Sequence, residues 1–319
     1  MKKILLAAVA ALAIVGCSQN EEIENVGQKT KIDVTTAVKG TTRAAVTNND
    51  NFTAFTVSGY TVVDIANSGL GTAYMNEDYT GKKGNWTTTG DDVYWPLNEK
   101  MEFFAYPTTL KANFQVPPTG YPTLSYTIGD NATAQTDLVV AHKSVSSVPT
   151  DGKLILTFKH LLTRINFSYK PENNAYAYTV SSITIKGVEG GNATYTFDAD
   201  DKGNWSAGSD KNVDYVYPVL ANPTAGDDGV YALDTDNGSL MLLPQSVASK
   251  TISVTYKTVK DGHTYFDDTK VVTLGADANW GIGQAIRYTL TLPVGATKMT
   301  VDTDVEDINN EAPESGSAE

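Results

Sequence analysis

Cysteine is almost missing from this sequence: Cys17 is the only one in 319 residues. No disulfide can form within the chain, so stability must come from buried apolar area and backbone hydrogen bonds. Basic residues are sparse as well, 24 Lys and Arg against 37 Asp and Glu, for a formal charge of −13. They form no cluster of the kind that neutralises a phosphate backbone, which excludes nucleic acid as a partner. Long apolar runs are lacking too. The longest, Ile4 to Val15, has 12 residues, whereas a helix needs about 20 to cross a hydrocarbon core of roughly 30 Å.

Catalytic signatures are equally scarce. There is no GxSxG elbow, no P-loop and no GxGxxG, and no pair of carboxylates stands out as suited to glycoside hydrolysis. His142, His160 and His263 lie in separate segments without HxH or HxxxH spacing, so they read as structural or surface residues, not zinc ligands. Asp234-Thr235-Asp236-Asn237-Gly238 places its glycine fifth, where a calcium loop needs it sixth, and reads as a solvated turn. The expectation is a protein without metal or cofactor that is not an enzyme.

What is abundant is the chemistry of sheets and turns. The chain has 17 Tyr and many Thr and Val, punctuated by 26 Gly and by pairs such as Asp151-Gly152, Asp228-Gly229 and Asp261-Gly262. Alternation of period two recurs at Leu154-Ile155-Leu156-Thr157-Phe158, Ile183-Thr184-Ile185, Ile252-Ser253-Val254-Thr255-Tyr256 and Tyr288-Thr289-Leu290-Thr291-Leu292. No helix of three turns is predicted. The fold class is all-β, antiparallel, built as β-sandwich domains.

Two stretches resemble each other. Gly84-Asn85-Trp86 leads to Val93-Tyr94-Trp95-Pro96, and Gly203-Asn204-Trp205 leads to Val216-Tyr217-Pro218, each followed by an apolar strand that ends in proline. The repeat predicts two related domains, 44–150 and 151–308, divided at the polar stretch Ser144 to Gly152. Trp86, Trp95, Trp205 and Trp280 sit beside turns, where they serve either core packing or the stacking of sugars.

The N-terminus carries an address. Lys2-Lys3 and the short apolar run form an export signal over 1–16. Ile14-Val15-Gly16-Cys17 matches a bacterial lipobox, in which the cysteine thiol is lipidated and becomes the new N-terminus. Loss of Lys2 and Lys3 with the signal takes the formal charge from −13 to −15. Ser18-Gln19-Asn20-Glu21-Glu22 resembles the tag of surface-exposed lipoproteins in Bacteroidetes.

The clearest mechanistic pattern lies at the two ends. Ile32, Val34, Thr36 and Val38 alternate onto one side of a predicted strand, and Met299, Val301, Thr303 and Val305 do the same near the C-terminus. Either could fill the same groove. Between the first strand and the body runs Gly40-Thr41-Thr42-Arg43-Ala44-Ala45, a polar stretch suited to a trypsin-like protease.

Taken in order, several motifs resemble the fimbrillin (type V pilin) family of Bacteroidetes. They are Cys17, Arg43-Ala44, Val93-Tyr94-Trp95-Pro96, Phe103-Phe104-Ala105-Tyr106-Pro107, Asp137-Leu138-Val139, Phe158-Lys159-His160, Met241-Leu242-Leu243-Pro244-Gln245 and Trp280 to Leu292. The resemblance implies two transthyretin-like sandwiches and a lipidated precursor carried to the cell surface on the outer membrane. It implies a propeptide over 17–43, cleaved after Arg43 with loss of the strand Ile32 to Val38, and donor-strand exchange with other pilin subunits through Met299 to Val305. The acidic stretch 309–319 reads as a disordered tail. Adhesion to a host or glycan ligand is the implied outcome. The alternative expectation is a monomeric surface lipoprotein that binds glycans.

Overall fold

A computed structural model describes residues 29–39, 47–235 and 238–310. Cys17, Arg43 and Ala44 lie outside these described residues. The fold is all-β, as the alternations predicted. The first nine strands are β1 (Asp33–Val38), β2 (Ala54–Val62), β3 (Ala73–Lys82), β4 (Asn85–Thr88), β5 (Lys100–Tyr106), β6 (Phe114–Gln115), β7 (Thr123–Thr127), β8 (Val139–Val145) and β9 (Lys153–His160). There follow β10 (Thr163–Pro171), β11 (Ala177–Gly190), β12 (Asn192–Thr196), β13 (Asn204–Trp205), β14 (Asp210–Tyr217) and β15 (Tyr231–Ala232). The last five are β16 (Leu240–Leu242), β17 (Thr251–Lys260), β18 (His263–Thr273), β19 (Gln284–Leu292) and β20 (Thr300–Asp307).

Seven strands form one sheet in the order β1-β9-β8-β5-β2-β3-β4. Alternation explains which face each strand buries: β9 turns Leu154, Leu156 and Phe158 inward and leaves Lys153 and Ile155 exposed. The sheet curls until its two edges approach, so that Trp86 on β4 donates an indole hydrogen bond to Thr36 on β1 at 2.8 Å. Val34, Val38, Phe55, Val57, Met101, Phe103 and Phe158 fill the space inside. All pairings in this sheet are antiparallel except β1 with β9, which is parallel.

A second core lies behind the outer face of β5 and β8. There Phe104 meets Phe197 with ring centroids 5.1 Å apart, and the core continues to Ile183, Leu240, Trp280 and Tyr288. It is enclosed by three sheets, β13-β12-β7-β6, β14-β11-β17-β18, and β15-β10-β19-β20 with β16 beside β10.

The boundary expected at 150/151 does not fall where the sheets change. Strand β9 follows that turn and still pairs with β8 and β1, so the turn is a hairpin inside the first sheet. The chain leaves that sheet at Leu161-Leu162, before β10. Strand β7, moreover, pairs with β12 across the expected division. A Pro-x-Asp-Gly turn has the same composition as a linker, and sequence alone cannot tell which strands it joins. Gly152 closes this hairpin with φ +70°, its N–H donating to Pro149, and a Cβ there would come within 2.8 Å of Thr30.

Candidate functional site at the N-terminal edge strand

Strand β1 is six residues long and its side chains are built into the core. Ile32, Val34, Thr36 and Val38 are each less than 8% exposed, on one side, as their spacing predicted. Val34, Thr36 and Val38 stand in register with Leu154, Leu156 and Phe158 of β9. The approach to the strand is pinned at both margins. Ile32 donates to Val93 O, Asp33 to Gly152 O, and Trp95 to Thr30 O at 2.8–3.1 Å. Trp95, itself buried, sends its indole N–H to Gly152 O at 2.9 Å. At the far end Val38 N donates to Asn49 Oδ1 and Lys39 N to Phe158 O.

Thr36 is the polar member of the inward row. Its hydroxyl accepts the Trp86 indole N–H, and the indole stands edge-on to Phe52 and Phe55, with centroids 5.7 and 4.8 Å away. Burying a hydroxyl without a partner costs free energy, and this bond removes that cost.

A polar clasp holds the exit of β1. His160 is 1% exposed and its Nε2 donates to Lys39 O, while its Nδ1 donates to Asp137 Oδ2 at 2.8 Å. Burial opposes its protonation, but Asp137 and the Lys39 carbonyl outweigh that and raise its pKa above the ordinary value, favouring the imidazolium. The same Asp137 oxygen accepts from Thr47 N at 2.8 Å. One ion pair thus grips both sides of the segment 40–46.

The short 3-10 turn that follows β20, Ile308–Asn310, joins this clasp. Asn309 accepts from His160 N and donates to His160 O, each at 2.9 Å, and its own carbonyl accepts from Lys39 Nζ at 2.7 Å. Apart from that turn, the two matched strands lie apart: β20 is the edge strand of another sheet, antiparallel to β19. Of its four singled-out residues, Met299 is buried and Val301 half-buried, while Thr303 is exposed and Val305 is 51% exposed.

The residues weighed for binding chemistry are used inside the molecule. All four tryptophan N–H groups have protein acceptors, Trp205 bonding Leu161 O and Trp280 bonding Tyr288 OH. His142 lies between Glu102 and Asp201, 2.6 Å from each, and stacks on Phe104. Burial would lower its pKa, but its hydrogen bonds to Asp201 and Glu102 prevail and raise it to about 9. His263 is exposed at the start of β18. Asp234 forms a two-pronged ion pair with Arg287, while Asp236 and Asn237 lie outside the described residues. A cleft of about 490 Å³ opens beside His142 and Lys159, and its aromatic lining residues Tyr195 and Phe197 are buried. Among the described residues no group of three or more His, Cys, Asp or Glu is arranged to hold a metal ion.

A family model described as fimbrillin-like matches residues 35–307. The fimbrium subunit Fim1C of Phocaeicola vulgatus is 25% identical over 370 aligned residues, covering 95% of this chain and 96% of that protein. A crystal structure of a fimbrial protein from Bacteroides vulgatus superposes with a TM-score of 0.65 at 20% identity, covering 87% of this chain and 99% of that one. A candidate cell adhesion protein from Bacteroides uniformis gives 0.53 at 17% identity, covering 88% and 99%. At these identities the two superpositions speak for a shared fold.

Proposed function

This chain belongs to the fimbrillin-like family, and on that premise we propose that it is a structural subunit of a cell-surface fimbrium, exported as a lipoprotein through Cys17. Cleavage after Arg43 frees residues up to 43 together with β1. The groove left behind takes the C-terminal strand, Met299 to Val305, of the next subunit, and the resulting polymer serves cell adhesion. The protein's role in this reading is assembly, without catalysis.

The observation that carries the proposal is the position of β1. It is a parallel edge strand on an otherwise antiparallel sheet, its inward row belongs to the core, and the chain on either side of 40–46 is gripped by one ion pair. Each of its large aliphatic side chains contributes roughly 1.5–3 kcal/mol when buried. Losing the strand exposes that apolar floor and the unpaired edge of β9, a surface that favours capture of another strand. The exposure of Thr303 and Val305 on β20 supports the reading of that strand as the donor.

The test is the mass of the protein extracted from cells. A chain that begins at Ala44 is expected, and Arg43→Ala should leave the precursor intact and stop polymer formation. Normal polymers from the Arg43→Ala variant would refute protease-triggered assembly.

A further inference from the structure

Strand exchange as proposed above leaves open which strand the groove accepts, and the inference here rests on that reading. Thr36, 2% exposed, is hydrogen-bonded by Trp86 at the centre of the inward row, with Val34 and Val38 on either side. Trp86 belongs to the body of the subunit, and its ring is braced by Phe52 and Phe55, both outside β1. Its N–H therefore stays directed into the groove when β1 departs.

Strand β20 carries Val301, Thr303 and Val305 at the same period-two spacing. Both triplets read Val-Thr-Val in either direction. A strand that enters parallel or antiparallel to β1 thus brings a hydroxyl to Trp86 and a valine to each neighbouring site. The alternate residues Asp302, Asp304 and Glu306 would fall on the outward side, where β1 carries exposed Asp33 and half-buried Thr35 and Ala37. In the subunit itself Thr303 is exposed and Val305 is 51% exposed, so these two side chains gain burial on entering such a groove.

We propose that Trp86 selects the incoming strand by its central hydroxyl, and that the occupant of the groove is Val301-Thr303-Val305 of a second copy of this chain. An aliphatic residue at the centre would bury the indole N–H without an acceptor, and the groove would reject it on that ground.

The test uses the full chain cut by an arginine-specific protease; the other two arginines, Arg164 and Arg287, lie within β10 and β19. Thr303→Val alters an exposed residue and should leave the uncut fold unchanged, while slowing formation of detergent-resistant polymers on the order of tenfold. Thr303→Ser keeps the hydroxyl and should polymerise like the natural chain. In mixed digests a Thr303→Val subunit should still accept a natural donor strand, so that the defect follows the donor. With Trp86→Phe as acceptor the advantage of Thr over Val donors should vanish or reverse, because the buried hydroxyl then has no partner; should that variant not fold, the Ser and Val comparison decides. Equal polymerisation of Thr303→Val and the natural chain on Trp86 acceptors would overturn the inference and leave strand exchange standing. A cut natural chain that remains monomeric would defeat the proposed function, and this inference with it.

Discussion

At the scale of single residues, buried polar groups add specificity to the stabilisation that the aliphatic row supplies. Thr36→Val keeps the volume of the side chain but leaves the Trp86 N–H facing a methyl group in a partly dry site. The precursor should lose about 1–2 kcal/mol in urea unfolding, and tryptophan fluorescence would follow the same transition. His142 makes the pH dependence legible. Its pKa, raised from 6.5 to about 9 by Asp201 and Glu102 against the effect of burial, lies above the unfolded value. The stabilisation it brings is therefore complete below pH 6.5, declines across the interval and is gone above about pH 9. Unfolding free energy should fall by on the order of 2–3 kcal/mol over that range. The raised pKa of His160 adds to the slope in the same direction. His142→Gln should lower stability at pH 6 and flatten the profile, leaving the His160 part; urea midpoints measured from pH 6 to pH 9.5 would show it.

At the scale of elements, the two matched strands differ in what holds them. Strand β1 is sealed on one face by the core of the curled sheet, whereas β20 is anchored at its ends and bare in the middle. Met299, 1% exposed, fixes its start, and Ile308, 2% exposed, fixes the residue after it. Met299→Ala should cost the uncut protein about 2–4 kcal/mol, while Val305→Ala should stay within about 0.5 kcal/mol. Thermal unfolding of the two variants side by side measures the contrast; equal losses would mean that β20 is buried along its whole length. Period-two alternation in the sequence identified both strands and their faces, but only for β1 does the whole row lie in a core; near β20, Met299 and Val301 pack against one while Thr303 and Val305 do not. Alternation reports a strand's two sides, not whether a second layer covers either.

At the scale of the whole molecule, the groove and the exchanged strand are different surfaces, on different sheets. Contacts between unlike surfaces do not close by two-fold symmetry, so subunits joined in this way propagate head to tail. Electron microscopy of the cleaved protein should show open filaments, and gel electrophoresis a ladder without a dominant dimer. Dimers that stop growing would imply reciprocal exchange between two copies. The division into two units was read from the Gly-Asn-Trp repeat, and the turn chosen as its border proved to be a hairpin. The repeat marks a local device: in both copies a glycine with positive φ, Gly84 or Gly203, precedes a short edge strand that carries the tryptophan. The two indoles then diverge, one to the Thr36 hydroxyl and the other to the Leu161 carbonyl.

The sequence by itself determined the fold class, the inward row Ile32, Val34, Thr36 and Val38, and its likeness to Val301, Thr303 and Val305, because burial in a sheet imposes period two on the chain. It also settled what stabilises the protein, since one cysteine leaves no disulfide. Only the tertiary structure decided that the row meets Trp86, some 50 residues away, and that Lys39, Thr47, Asp137, His160 and Asn309 gather at one clasp. Those meetings follow from the curl of the sheet and from the order in which strands pair. Neither leaves a periodic mark on the residues they bring together.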